Sequence, residues 1–389
     1  MPDAATLRRE FLLDPEVTFL NHGSFGACPR PVFERYQAWQ RELEVEPVRF
    51  IAHRLTDLLA EARAALGAYL GAAADDLTFV PNATTGVNIA ARALDLRPGD
   101  EVLTTDLEYG ACDLAWERVC ARAGARYVHA ATPSPLTGPD DVLAALRAGR
   151  GDRTRAVFLS HVTSETALVL PVADIAAWAR GEGLVTIVDG AHAPAQVPLD
   201  LTALGADFYA GNCHKWLCAP KGSGFLHVRP EHQERVDGAI VSWGYGADAT
   251  FVSRTELQGT RDPAAYLAVA DAIRFQAERD WDEVAARCRA LTREAREELC
   301  ALLGTEPLAP ASMLAQMAAV RLPRPEPGLA ERLFAAHRIE IPVMRPGHEL
   351  LRLSVAAYTT RADVDRLVSA LARELDAEHA QHDEQRDPD

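Results

Sequence analysis

The 389-residue chain is 48% hydrophobic and 25% charged, the balance of a globular enzyme with enough length for two or three cores. Its formal net charge of −16 disfavours nucleic acid or an anionic membrane surface as the main partner. No run approaches the ~18–20 uncharged apolar residues of a membrane span, and Met1–Leu13 lacks the apolar stretch of a signal peptide.

Residues 54–70 carry apolar side chains at helical spacing, and Leu77-Thr78-Phe79-Val80 then reads as a short strand. A glycine-containing turn leads to a helix from Val87 to Leu94, a strand at Glu101–Thr105 and a helix from Cys112 to Ala123. The alternation continues with a strand at Arg155–Val162, a helix at Val172–Gly181, and strands at Val185–Asp189, Phe208–Ala210 and Gly224–Val228. Strands apolar on both faces and separated by helices predict an α/β domain with a mainly parallel sheet covered on both sides. From Asp262 to Leu302 the pattern turns helical. Short strands are expected at 318–322, 339–343 and 350–355, with a closing helix at Arg361–Leu375. The expected organisation is an N-terminal arm (1–15), a large domain (16–265), a smaller α+β domain (266–375) and a flexible polar tail (376–389).

Seven cysteines are scattered without paired metal spacing, so neither a metal site nor a disulfide framework is expected, and the setting reads as reduced and cytoplasmic. The chain has only two lysines, Lys215 and Lys221, among 40 basic residues. GC-rich codon usage explains the scarcity, but a retained lysine on a loop also suits chemistry that requires a primary amine. Schiff-base formation with a carbonyl is that chemistry, and an aspartate facing a pyridine nitrogen is its usual companion in enzymes using pyridoxal 5'-phosphate. Asp189 ends a buried strand 26 residues earlier, where open α/β sheets place their ligands.

His192, three residues on, is placed to reach a ring oxygen. Pro81-Asn82-Ala83-Thr84-Thr85-Gly86 follows a strand and opens a helix, the arrangement that binds phosphate through backbone N–H groups and hydroxyls; it also suits an ordinary threonine cap. Asn212 and His214 flank the lysine and offer further donors. Tyr109 follows a strand end and suits ring stacking, and Arg352 is a candidate fork for a substrate carboxylate.

With these residues in place, the chain resembles the fold-type I pyridoxal phosphate enzymes of the class V aminotransferase family, and most of all its isopenicillin N epimerase-like branch. The resemblance runs from Phe19-Leu20-Asn21-His22-Gly23-Ser24-Phe25-Gly26 to Arg352-Leu353-Ser354-Val355-Ala356-Ala357-Tyr358. Its most specific stretches are Val188-Asp189-Gly190-Ala191-His192 and Asn212-Cys213-His214-Lys215-Trp216. It implies a seven-stranded central sheet with helices on both faces. Lys215 is then the Schiff-base lysine, Asp189 the pyridine partner, His192 the O3′ contact and Tyr109 the ring stacker. Thr84, Thr85, Ser164, Asn212 and His214 join the cofactor set, while Asn21, His22, Gly23 and Arg352 face the substrate. Thr260 reaches the neighbouring subunit's phosphate, which implies a homodimer with shared sites.

The implied reaction begins with Schiff-base exchange on an amino acid and loss of its Cα proton to the freed lysine. Return of the proton on the other face makes an epimerase or racemase, the first expectation. Loss of a Cβ group makes a β-eliminating C–S lyase, the alternative; transamination, decarboxylation and a non-catalytic binding role rank lower. No cysteine follows Cys300, which argues against the persulfide chemistry of cysteine desulfurases. Tyr109, Tyr358 and His22 are the candidates for a second base.

Overall fold

The structure, a computed structural model, describes residues 3–344 and 349–384. Its strands are β1 (Thr18–Phe19), β2 (Leu77–Val80), β3 (Glu101–Thr105), β4 (Arg126–Ala130), β5 (Thr154–Ser160), β6 (Val185–Gly190), β7 (Phe208–Asn212), β8 (Gly224–Val228), β9 (Met317–Arg321), β10 (Ile339–Glu340), β11 (Val343–Met344) and β12 (Leu350–Ser354). Seven of them form one sheet in the order β2-β8-β7-β6-β5-β3-β4, parallel except for β8, which runs antiparallel to both neighbours.

The period of two along these strands builds a core on each face. Val157, Leu159, Val188 and Tyr209 point to one side, against Leu66, Leu70 and Ile175. Ala156, Phe158, Ile187, Phe208 and Ala210 point to the other, against Val87 and Trp116. Each of these side chains is at most 1% exposed, and burial on that scale is worth roughly 1.5–3 kcal/mol for a large apolar side chain.

The sequence reading missed β4, and the reason is its position. As an edge strand it leaves Arg126 and His129 exposed and Tyr127 and Val128 only partly covered, so it lacks the continuous apolar run of its neighbours. The helix expected at Val87 begins at Ala83, because Asn82 caps it by accepting from the Thr85 N–H at 2.9 Å. The long helical stretch after Asp262 breaks at Asp280, whose left-handed φ of 49° separates the helices Val269–Ala277 and Trp281–Leu303. Pro342 interrupts the strand expected at 339–343, leaving β10 and β11. The closing helix runs through Glu384, nine residues past its expected end; the remaining residues of the expected tail, 385–389, lie outside the described residues.

A second core gathers Val284, Cys288 and Leu299 with Leu333, Leu351, Leu353, Val364 and Leu371. Leu7 and Leu20, near the start of the chain, belong to it too. Parallel pairing of β1 with β10 and a bond from Ser354 N to Leu20 O hold that N-terminal segment in place. Among the described residues no helix is long and apolar enough to cross a membrane.

Candidate active site

Because β2, β7, β6, β5 and β3 are parallel, their carboxyl ends share one edge of the sheet, and the loops leaving them wall a cavity of about 400 Å³. Lys215, Asp189, His192, Asn212, His214, Thr84, Tyr109 and Ser164 all line it, joined by Gly23 from the N-terminal segment and Arg352 from β12. Four expected site residues lie elsewhere. Thr85 turns its hydroxyl to Asn82 Oδ1 at 3.0 Å, Thr260 is exposed away from the cavity, and Asn21 bonds Glu340 at 3.1 Å. His22 sits behind the lysine loop rather than in front of it.

The Lys215 amine lies 3.1 Å from His192 Nε2. The Trp216 indole N–H, which can only donate, points at His192 Nδ1 from 3.4 Å, which favours the neutral tautomer with its proton on Nε2. Burial, with help from Arg352, pulls the amine down to about 8. The loop is fixed from behind. His22 donates through Nε2 to the Lys215 carbonyl at 3.0 Å and accepts from the Tyr358 hydroxyl at 2.8 Å; burial lowers the ring to about 3, so it stays neutral. Gly26 approaches so closely, at φ 70°, that a Cβ there would stand 2.0 Å from the His214 carbonyl oxygen.

Asp189 accepts from the Ala191 N–H at 2.9 Å and from the Cys112 thiol at 3.4 Å. Burial raises its carboxyl, opposed by the Ala191 bond and the charge of Lys215. Beside it lies a group the sequence reading passed over. Glu108 is buried and accepts 2.6 Å bonds from the hydroxyls of Thr105 and Ser160, and burial pushes it up to about 8. Its sequence neighbour Tyr109 drew attention instead; a carboxylate in the turn leaving a strand end was the available signal.

At the helix Ala83–Arg92, Ala83 N–H donates to Asn212 Oδ1 at 2.8 Å, Thr85 N–H to Asn82 Oδ1 and Gly86 N–H to the Asn82 carbonyl. That leaves the Thr84 N–H, among the described residues, as the open donor at a cavity-lining position. His214 gives its Nδ1 proton to the Ser223 carbonyl at 2.9 Å, and burial lowers the ring to about 4, so its neutral Nε2 accepts rather than donates.

Across the cavity, Arg352 is 2% exposed and donates to the Ser164 carbonyl at 2.5 Å and the Ser24 hydroxyl at 3.0 Å, while its Nε has no partner. No carboxylate pairs with it among the described residues, and burial lowers it to about 10. Such a group awaits an anion. Away from the cavity, Asp207, Glu231 and His232 bring possible metal-ligand atoms together, but Arg229 already pairs with both carboxylates.

The family model for Aminotransferase class-V matches residues 26–367. Isopenicillin N epimerase of Amycolatopsis lactamdurans is 41% identical over 388 residues, covering 94% of this chain and 97% of the relative. The epimerase of Streptomyces clavuligerus is 40% identical over 386 residues, covering 94% and 96%. Among solved structures, the cystine C–S lyase C-DES in complex with its reaction product cysteine persulfide superposes with a TM-score of 0.79 at 25% identity, covering 92% of this chain and 98% of that one. The chain belongs to the class V aminotransferase family of pyridoxal phosphate-dependent enzymes. The cavity suits that cofactor: an amine for its aldehyde, a buried carboxylate for its ring nitrogen and an open helix N-terminus for its phosphate wall one space.

Proposed function

We propose that this enzyme is an epimerase of the isopenicillin N epimerase type, inverting the α-carbon of an amino acid. The 41% identity to such an epimerase across 94% of the chain carries the reading. When bound, pyridoxal phosphate supplies the electron withdrawal that makes a Cα–H bond labile. In this reading Lys215 holds the aldehyde, Asp189 the ring nitrogen and His192 the O3′ oxygen. Thr84, with the helix start and Asn212, cradles the phosphate, and Tyr109 lies over the ring. Arg352, with Ser24 and Ser164, grips the substrate carboxylate beside Gly23, which presents the Cα to the amine of Lys215. That amine, once free, takes the α-proton, and its depressed basicity suits it to do so near neutral pH. No cysteine lines the cavity among the described residues, which speaks against a persulfide-forming nucleophile.

A homodimer is part of the same proposal. Thr260 is exposed and stands outside the cavity, in a region that also exposes Val241 (73%) and Trp243 (94%), as a surface covered by a second copy would. A cytoplasmic setting accords with seven free cysteines.

The likeness to a cystine C–S lyase supports a second reading, β-elimination. Incubating the holoenzyme with an amino-acid and cysteine-conjugate panel in D2O decides between them. The epimerase yields Cα-deuterated material of both configurations and no keto acid. Pyruvate with ammonia or a free thiol would replace it with the lyase.

A further inference from the structure

Inversion needs one proton to leave Cα on one face and another to arrive on the opposite face, and Lys215 serves one face only. Resting on the epimerase reading, we propose that Tyr109 is the second proton-transfer residue, delivering its hydroxyl proton to Cα from the side opposite Lys215.

The strand order makes the placement. Lys215 leaves the end of β7 and Tyr109 follows the end of β3, with the ends of β6 and β5, carrying Asp189 and Ser160, between them. Three strand spacings put the two loops about 14 Å apart, so their side chains reach into the cavity from opposite flanks.

The other proton carriers are committed or misplaced. His22 and Tyr358 bond each other, and neither lines the cavity. His192 is hydrogen-bonded to Lys215 itself, and His214 is its chain neighbour, so both share its side. The Ser160 hydroxyl donates to Glu108, and Ser24 and Ser164 contact Arg352. Tyr109 lines the cavity, makes no side-chain hydrogen bond among the described residues, and lies near enough to Arg352 for the two groups to interact electrostatically. Its ring thus shares the cavity with Arg352, the group proposed to hold the substrate carboxylate beside Cα.

The step balances without an oxidant. The Cα–H bond breaks, its proton goes to the Lys215 nitrogen and its electron pair stays with the carbon skeleton. The Tyr109 O–H bond then breaks and a new Cα–H bond forms from that pair. At 42% exposure the phenolate regains its proton from water, and Lys215 sheds its own to solvent.

Tyr109→Phe keeps the ring and removes only the hydroxyl. The test uses the panel amino acid that wild-type holoenzyme inverts fastest, each enantiomer being incubated separately in D2O. The expected result is a fall in inversion of about 10²-fold or more, with Cα deuteration persisting for one enantiomer and lost for the other. Cofactor absorbance and retention through gel filtration stay at wild-type values. Inversion at the wild-type rate overturns the proposal while leaving the epimerase reading intact. Equal loss of exchange from both enantiomers, or loss of bound cofactor, reduces Tyr109 to a cofactor-holding side chain and also overturns it. A wild-type enzyme that inverts nothing defeats the underlying reading.

Discussion

At the Asp189 end of the cavity, Asp189, His192 and Glu108 are each matched to partners lying between Thr105 and Trp216, whereas at the Arg352 end a buried guanidinium keeps one N–H unmatched. The first end is a finished polar network set on rigid strands. The second is brought in from β12 and the N-terminal segment, and is completed by what binds. A site divided this way separates holding the cofactor from choosing the substrate, and substitutions at the two ends should fail in different ways.

The largest effect belongs to Lys215→Ala, which removes both the carbonyl-capturing amine and the first base. Single-turnover kinetics should show a loss of at least roughly 10⁴-fold. Next comes Arg352→Met. Losing a buried, charge-assisted anchor costs about 2–4 kcal/mol, or roughly 30- to 10³-fold in kcat/KM, carried mainly by KM. The same change removes a desolvated charge that Glu165 offsets only from beyond ion-pair distance, so thermal unfolding of the ligand-free protein should move upward by about 1 kcal/mol, roughly 2 °C. An Arg352 variant that loses both activity and stability would erase the contrast between the two ends.

The smallest effect distinguishes charge from shape at the finished end. Glu108→Ala strands two hydroxyls and should cost about 2 kcal/mol in denaturant unfolding, while Glu108→Gln should keep most of the stability at pH 7. The sign of its pH dependence follows from burial. Glu108 is raised from 4.5 to about 8, so the folded protein holds a proton that the unfolded chain releases. Its contribution is complete below pH 4.5 and is lost as pH climbs to about 8, at up to about 1.4 kcal/mol per pH unit. Glu108→Gln should flatten that slope, and an unchanged slope would mean that the carboxyl is ionised in the fold.

The finished end was also the more legible one. Asp189 and Lys215 stand beside apolar runs whose strand character is local, so their positions at the carboxyl edge follow from pattern and topology. Arg352 could be named only through resemblance, because what selects it among many arginines is the 2% exposure and the unpartnered Nε, both products of tertiary packing. Glu108 was overlooked because its burial depends on Ser160, 52 residues away. His22 was expected against the substrate, yet its ring braces the lysine loop from behind; sequence places it near the site but cannot say on which side of a loop it stands. The edge strand β4 escaped for the opposite reason, since exposure gave it the polar side chains of a connecting segment.

Leu7 and Leu20 pack against side chains from Val284 to Leu371, and β1 pairs with β10. The ribosome delivers that first segment roughly 330 residues before its partners, an interval of about 15–65 s at ordinary elongation rates. Through that interval the seven-stranded sheet can form from its own contiguous sequence, while Leu7 and Leu20 wait unburied. The core built by residues from Val284 to Leu371 is therefore closed by side chains that were synthesised long before it.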